Sequence, residues 1–162
     1  MRLIQVRVSF NIAELSGLLG ARPLRLNKLL NVCRIRASVV GGGARGKRRA
    51  FSAQDVCRLG FALWLWRAGL RGPAIRRLVA GNALHHLISG LHTLQEIRRE
   101  SERHRFLVAV DFRGTKHGYR EVALVGSPRA GTDLLRETSG VVVPIGKLLG
   151  ALAERLEEFV TI

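Results

Sequence analysis

The chain has 162 residues, enough for one ordinary domain or two small ones that bury roughly two-thirds of the unfolded surface unaided by staples. Hydrophobic residues at 47% and charged residues at 24% exclude intrinsic disorder and collagen-like architectures. Lys and Arg number 27 against 12 Asp and Glu, a formal charge of +15, and such an excess predicts a polyanionic partner.

The charge is segregated along the chain. Residues 1–80 hold 16 Lys and Arg but only Glu14 and Asp55 as acids, whereas residues 81–162 hold 11 bases and 10 acids. A generally solvated surface would scatter both signs, so the split predicts a polyanion-binding module joined to a near-neutral one. Arginine-biased composition, 23 of the 27 bases being Arg, would not spare the second half. No apolar run approaches the roughly 20 residues that span a bilayer, and Met1–Arg7 alternates in polarity where a signal peptide would be uniformly apolar. A cytoplasmic, nucleoid-associated protein without membrane contact is expected. Cys33 and Cys57 are too few for a disulfide framework and too far apart for a zinc site, and are read as reduced core thiols.

In chain order, Ile4, Val6, Val8 and Phe10 alternate onto one face. Asn11 with Glu14 three residues on forms a capping box, with Phe10 and Leu15 as its hydrophobic staple, and Gly20 ends the short helix that follows. Pro23 suits a first helical turn, so a second helix starts near Arg22. At about 100° per residue it gathers Leu26, Leu29, Leu30 and Cys33 on one face and Leu24, Arg25, Asn27, Lys28 and Asn31 on the other. Arg, Lys and Asn pair with purine edges in a major groove, and an exposed Leu24 can touch a thymine methyl. No acid occurs from Ala21 to Ala50, where an ordinary solvated face would mix Lys with Glu.

Ile35–Val40 and Arg48–Phe51 read as two strands around a glycine-rich tip, a β-hairpin whose Arg45, Lys47, Arg48 and Arg49 would lie on the phosphate backbone. Gly41–Lys47 also satisfies the first part of a phosphate-cradling P-loop, but Arg48 stands where Ser or Thr must hold magnesium, which argues against nucleotide hydrolysis. Ser52 and Asp55 repeat the capping logic for a helix to about Ala68, with one stripe of Val56, Leu59, Leu63 and Trp66 and another of Cys57, Phe61, Trp64 and Ala68. Both tryptophans are therefore expected in the core, not as base-stacking platforms. Gly72 and Pro73 start a short helix with Ile75, Leu78 and Val79 inward and Arg76 and Arg77 outward.

The ordered set of Phe10–Leu15, Gly20–Pro23, Lys47–Val56 and Gly69–Leu78 resembles the DNA-binding domain of MerR-like transcriptional regulators, over about half the chain. The resemblance implies a winged helix-turn-helix, homodimerisation, and promoter DNA that is bent or untwisted. Members usually carry a Thr-Leu-Arg-Tyr-Tyr-Glu segment in the recognition helix and a tyrosine in the wing. Here the recognition segment is Arg25-Leu26-Asn27-Lys28-Leu29-Leu30 and Phe51 replaces the tyrosine, a departure that also fits an excisionase-like or phage-type architectural role.

Residues 83–103 read as one linking helix with Leu84, Leu87, Leu91 and Leu94 as a dimerisation seam, interrupted at Ser89-Gly90; packing within the same chain is the competing expectation. His85, His86 and His92 lie along it but lack further ligands for a metal site. The remainder reads β-β-α-β-α: Phe106 to Phe112, Tyr119 to Gly126, a helix from Thr132, Val141 to Ile145, and a helix from Lys147 to about Val160 that should cap a short sheet. Asp111, His117, Glu121 and Asp133 share no spacing that suggests acid-base chemistry.

The expected protein is thus an α+β regulator: a winged helix-turn-helix at 1–80, a linking helix at 81–105 and a small α/β unit at 106–162. Its candidate DNA contacts are Arg22, Leu24, Arg25, Asn27, Lys28 and Asn31 for the groove, and Arg45, Lys47, Arg48 and Arg49 for phosphates. No catalytic residue, metal or cofactor is implied. Double-stranded DNA, a second copy of the chain and RNA polymerase are the expected partners.

Overall fold

The computed structural model describes residues 10–36, 50–111, 119–135 and 140–160. The alternating segment before Phe10 and the proposed hairpin with Arg45, Lys47, Arg48 and Arg49 lie outside the described residues. What is described is a mixed α+β fold, mostly helical, with eight helices and one small antiparallel sheet.

Local chemistry sets the first elements. The Asn11 side chain accepts a hydrogen bond from the Glu14 N–H at 2.9 Å, and the Asn11 N–H donates to the Glu14 carboxylate at 3.1 Å, closing the capping box of α1 (Ile12–Leu19). Gly20, at φ 63°, supplies the left-handed turn that ends it. The helix α2 (Pro23–Cys33) starts on proline and buries Leu26, Leu29, Leu30 and Cys33. Ser52 and Asp55 cap α3 (Ala53–Arg67) reciprocally, and Asp55, almost wholly buried, also meets Arg58 at 3.4 Å. Just ahead of α1 and α3, Phe10 and Phe51 exchange two backbone hydrogen bonds of 2.8 Å and tie both helix starts together. The helix α4 (Gly72–Val79) packs on α2 and α3, its Ile75, Leu78 and Val79 inward and its Arg76 and Arg77 in solvent.

The expected single linking helix is two. Gly90 ends α5 (Asn82–Ser89), and Thr93 starts α6 (Leu94–Glu102) with a capping box of its own, its hydroxyl accepting from the Glu96 N–H at 3.1 Å. Partial desolvation opposes the effect, but N–H donation from Thr93 and His92 holds the Glu96 carboxyl below the usual range. Leu84, Leu87, Leu91 and Leu94 are all buried in the chain's own core, so the stripe read as a seam between copies is occupied from within. Two heptads on either side of a break give too short a repeat for a coiled coil.

The sheet has the order β2-β1-β3, with β1 (Phe106–Asp111) central and antiparallel to β2 (Tyr119–Val125) and β3 (Gly140–Pro144). The register slips between Val108 and Ala109 against β2, whereas β3 pairs without interruption. Between β2 and β3 runs α7 (Pro128–Leu134), which starts at the Ser127 cap and Pro128, four residues earlier than the expected Thr132. Ile145, expected at the end of a strand, instead opens the last helix, α8 (Ile145–Val160).

The destination of α8 differs from expectation. It packs chiefly on α6, touches α1 and α3, and meets the sheet at β1. Phe159 lies edge-on to Phe10 at 6.4 Å, and the Arg155 guanidinium donates to the Leu18 carbonyl at 2.6 Å. Leu152 covers Gly60 of α3, where an added Cβ would stand 3.2 Å from the leucine. The buried residues accordingly form one continuous core from Phe10 to Leu156, which spans the expected boundaries at 80 and 105. Near the α6 end, the buried Glu100 carboxylate is held by Arg105 at 2.5 Å and Arg103 at 3.4 Å, and Arg98 pairs with Glu157 of α8.

Candidate nucleic-acid interface

The side of α2 opposite its buried leucines is open. Around the helix, the arc runs Asn27, Asn31, Leu24, Lys28, Val32 and Arg25, with the two end members half-buried and the others exposed. Leu24 is 82% exposed, an apolar side chain that nothing in the described fold covers. Arg22 is the N-cap of the helix and is exposed as well; its side chain makes no capping hydrogen bond. At the other end the exposed Arg34 takes the left-handed C-cap, φ 53°, where glycine is the usual occupant. A cation there meets the negative end of the helix dipole.

Trp66 is the residue the sequence misplaced. Helical spacing put it in a buried stripe with Val56, Leu59 and Leu63, yet it is 37% exposed while those three are buried. The stripe continues past the point where α3 is covered, and its last member emerges beside the first turns of α2. There the Arg25 guanidinium lies 3.7 Å from the centre of the indole. Trp64, by contrast, is half-buried and packs against the core as expected.

The Arg25–Trp66 stack separates two shallow depressions of about 420 and 400 Å³. The first has Arg22, Leu24, Lys28 and Arg67 on its rim, and the second has Lys28, Val32 and Arg71. Among the described residues, five cations line the pair of depressions and no carboxylate does. Arg67, at the end of α3, donates to the Gly20 carbonyl at 3.1 Å and so braces the turn between α1 and α2 from outside. At Gly72 an added Cβ would lie 2.5 Å from Val32, so the start of α4 sits tightly under the far end of the same face.

Of the residues expected to face a groove, Arg22, Leu24, Arg25 and Lys28 converge here. Asn31 lies on the same open arc one turn beyond Asn27, outside both depressions. Sequence reasoning missed Trp66, Arg67 and Arg71. The available signal was a Trp followed directly by Arg at a helix end, ahead of a glycine turn.

Elsewhere the chemistry is quiet. His85, His86 and His92 are exposed, His92 lies 3.3 Å from the Gln54 amide, and among the described residues no group of three or more metal-ligating side chains comes together. Both cysteines are free and buried. Burial pushes the Cys33 thiol up to about 11 and the Cys57 thiol to about 12, although Arg76 and Arg58 respectively pull them down. The native thiols are therefore expected to resist a soluble disulfide reagent at pH 8 and to react promptly once the chain is unfolded in denaturant. Because the unfolded thiols ionise near 9 and the native ones do not, their linkage contribution to stability is complete below pH 9 and declines above it. Rapid labelling of either thiol in the native protein would contradict this placement. No described helix is long and apolar enough to cross a membrane.

Comparison with protein-family models and with curated proteins finds no match.

Proposed function

We propose that the chain is a DNA-binding transcriptional regulator whose α2 enters a major groove. The observation that carries this reading is the open face of α2 with its surroundings: Arg22, Arg25, Lys28, Arg67 and Arg71 around two depressions with no acid among their described lining residues. A helix of about 10–12 Å diameter fits a major groove about 12 Å wide, and a rim of cations meets the phosphates on either side. The turn between α1 and α2 is short, Gly20 to Arg22, and is fixed by the Arg67 hydrogen bond, so the two helices present one rigid corner.

The residues outside the description complete the proposal. Arg45, Lys47, Arg48 and Arg49 form the wing of a MerR-like winged helix-turn-helix and neutralise phosphates, and the protein acts on promoter DNA in the cytoplasm as a homodimer. With the four stripe leucines buried inside the chain, a dimer uses other surface.

Binding of the purified chain to duplex libraries across a salt series tests this reading. Affinity is expected to fall steeply with salt, with a log–log slope of about −0.9 for each phosphate neutralised, and selection is expected to enrich a defined sequence. Failure to bind duplex at low salt overturns the proposal. Selected sites clustered in promoters support a regulator, whereas unrelated sites that are sharply bent support an architectural protein instead.

A further inference from the structure

The Arg25–Trp66 stack has a chemical meaning beyond its charge. A cation that serves only to neutralise phosphate needs no fixed direction, and Arg22, Arg67 and Arg71 already provide charge around it. Like them, Arg25 has no carboxylate partner among the described residues, but it alone of these cations rests on an aromatic ring, 3.7 Å from its centre. Stacking occupies one face of the guanidinium and restricts the long side chain's rotamers, but leaves the in-plane N–H fork free. A planar fork with its direction fixed matches a planar pair of acceptors, and in a major groove that pair is O6 and N7 of guanine.

The neighbours agree with base readout. The exposed large hydrophobic side chains of the described residues are Leu24, Val32 and Trp66, and all three line these depressions. Backbone-only binding has no use for apolar groups, whereas Leu24, one position before Arg25, suits the methyl of a thymine. On the protein side, the ring comes from α3 and the cation from α2, so the stack also fixes how the reading helix is presented.

We infer that Arg25 reads a guanine through its O6 and N7 edge and that Trp66 is the positioning residue that aims it. The inference rests on the proposal that α2 enters a major groove. It is tested on the best duplex obtained by selection, by replacing each guanine in turn with 7-deazaguanine, which lacks the N7 acceptor. The native chain is expected to lose about ten- to a hundredfold in affinity at one guanine. Arg25→Ala should bind the deaza and normal duplexes equally. Trp66→Leu, which keeps apolar cover without an aromatic face, should lose most of that discrimination with its salt slope unchanged. Trp66→Phe should regain part of it, and Arg25→Ala with Trp66→Leu should be no worse than Arg25→Ala alone. Thermal melting of each variant verifies that it folds.

Tight binding by the native chain with no guanine sensitive to the deaza substitution overturns this inference and leaves the DNA-binding proposal standing. So does a Trp66→Leu chain that keeps full discrimination. An Arg25→Ala chain whose salt slope falls by about one unit, equally on all sequences, assigns Arg25 to a phosphate and likewise overturns it. A native chain that binds no duplex removes the proposal and the inference together.

Discussion

Replacing Leu156 with alanine is expected to destabilise the whole chain by about 2–5 kcal/mol and to lower its melting temperature by roughly 5–20 °C. Leu156 is fully buried on α8, a helix that packs on α6, α3 and α1, so its removal leaves a cavity in a core that the N-terminal helices share. The distinctive outcome is where the loss is felt. Backbone amides of α1, more than a hundred residues earlier, should lose hydrogen-exchange protection together with those of α8. If α1 kept its protection while α8 opened, the two ends would be separate cooperative units and the continuous core would not behave as one.

The second large effect separates the two classes of proposed DNA contact. Lys28→Ala, on the exposed arc of α2, is expected to change which sequences are preferred, relaxing discrimination at one position by about 1–3 kcal/mol while the salt slope stays nearly constant. Arg48→Ala, in the basic stretch after the run of glycines, is expected to weaken binding to every sequence alike and to flatten the salt slope by about one unit. Selection experiments and salt titrations on both variants check this. Equal slope losses from the two would mean that neither reads bases.

Much of the helical framework was legible because it is set by chemistry a few residues long. Asn11 with Glu14, and Ser52 with Asp55, are reciprocal caps whose partners are three residues apart, and a reader of sequence sees both members at once. The same logic was present but overlooked at Thr93 and Glu96, where the leucine spacing of the preceding stretch carried the reading across a helix break. Ser127-Pro128 was a further start signal of this kind. The buried face of α2 followed directly from its period.

What could not be read was where a face goes. Period places Trp66 with Leu59 and Leu63, but only the end of the covering layer decides that the last of the three meets Arg25 in the open. Period also makes α8 amphipathic without saying that it faces α6, α1 and α3 more than the sheet. The contact of Arg155 with the Leu18 carbonyl joins residues 137 positions apart, and no local pattern announces it. Likewise, Arg67 and Arg71 enter the candidate interface through the path of the chain after α3, not through any motif.

The docking of α8 also bears on how the protein is made. During synthesis α1 and α3 leave the ribosome long before α8 exists, so Phe10, Leu18 and Gly60 must wait for Phe159, Arg155 and Leu152. Pairings of such long sequence separation slow the final collapse, and the nascent helices meanwhile present an oily, strongly cationic surface to a cell rich in polyanions. The apolar faces of α1 and α3 that α8 covers stay open until that helix arrives.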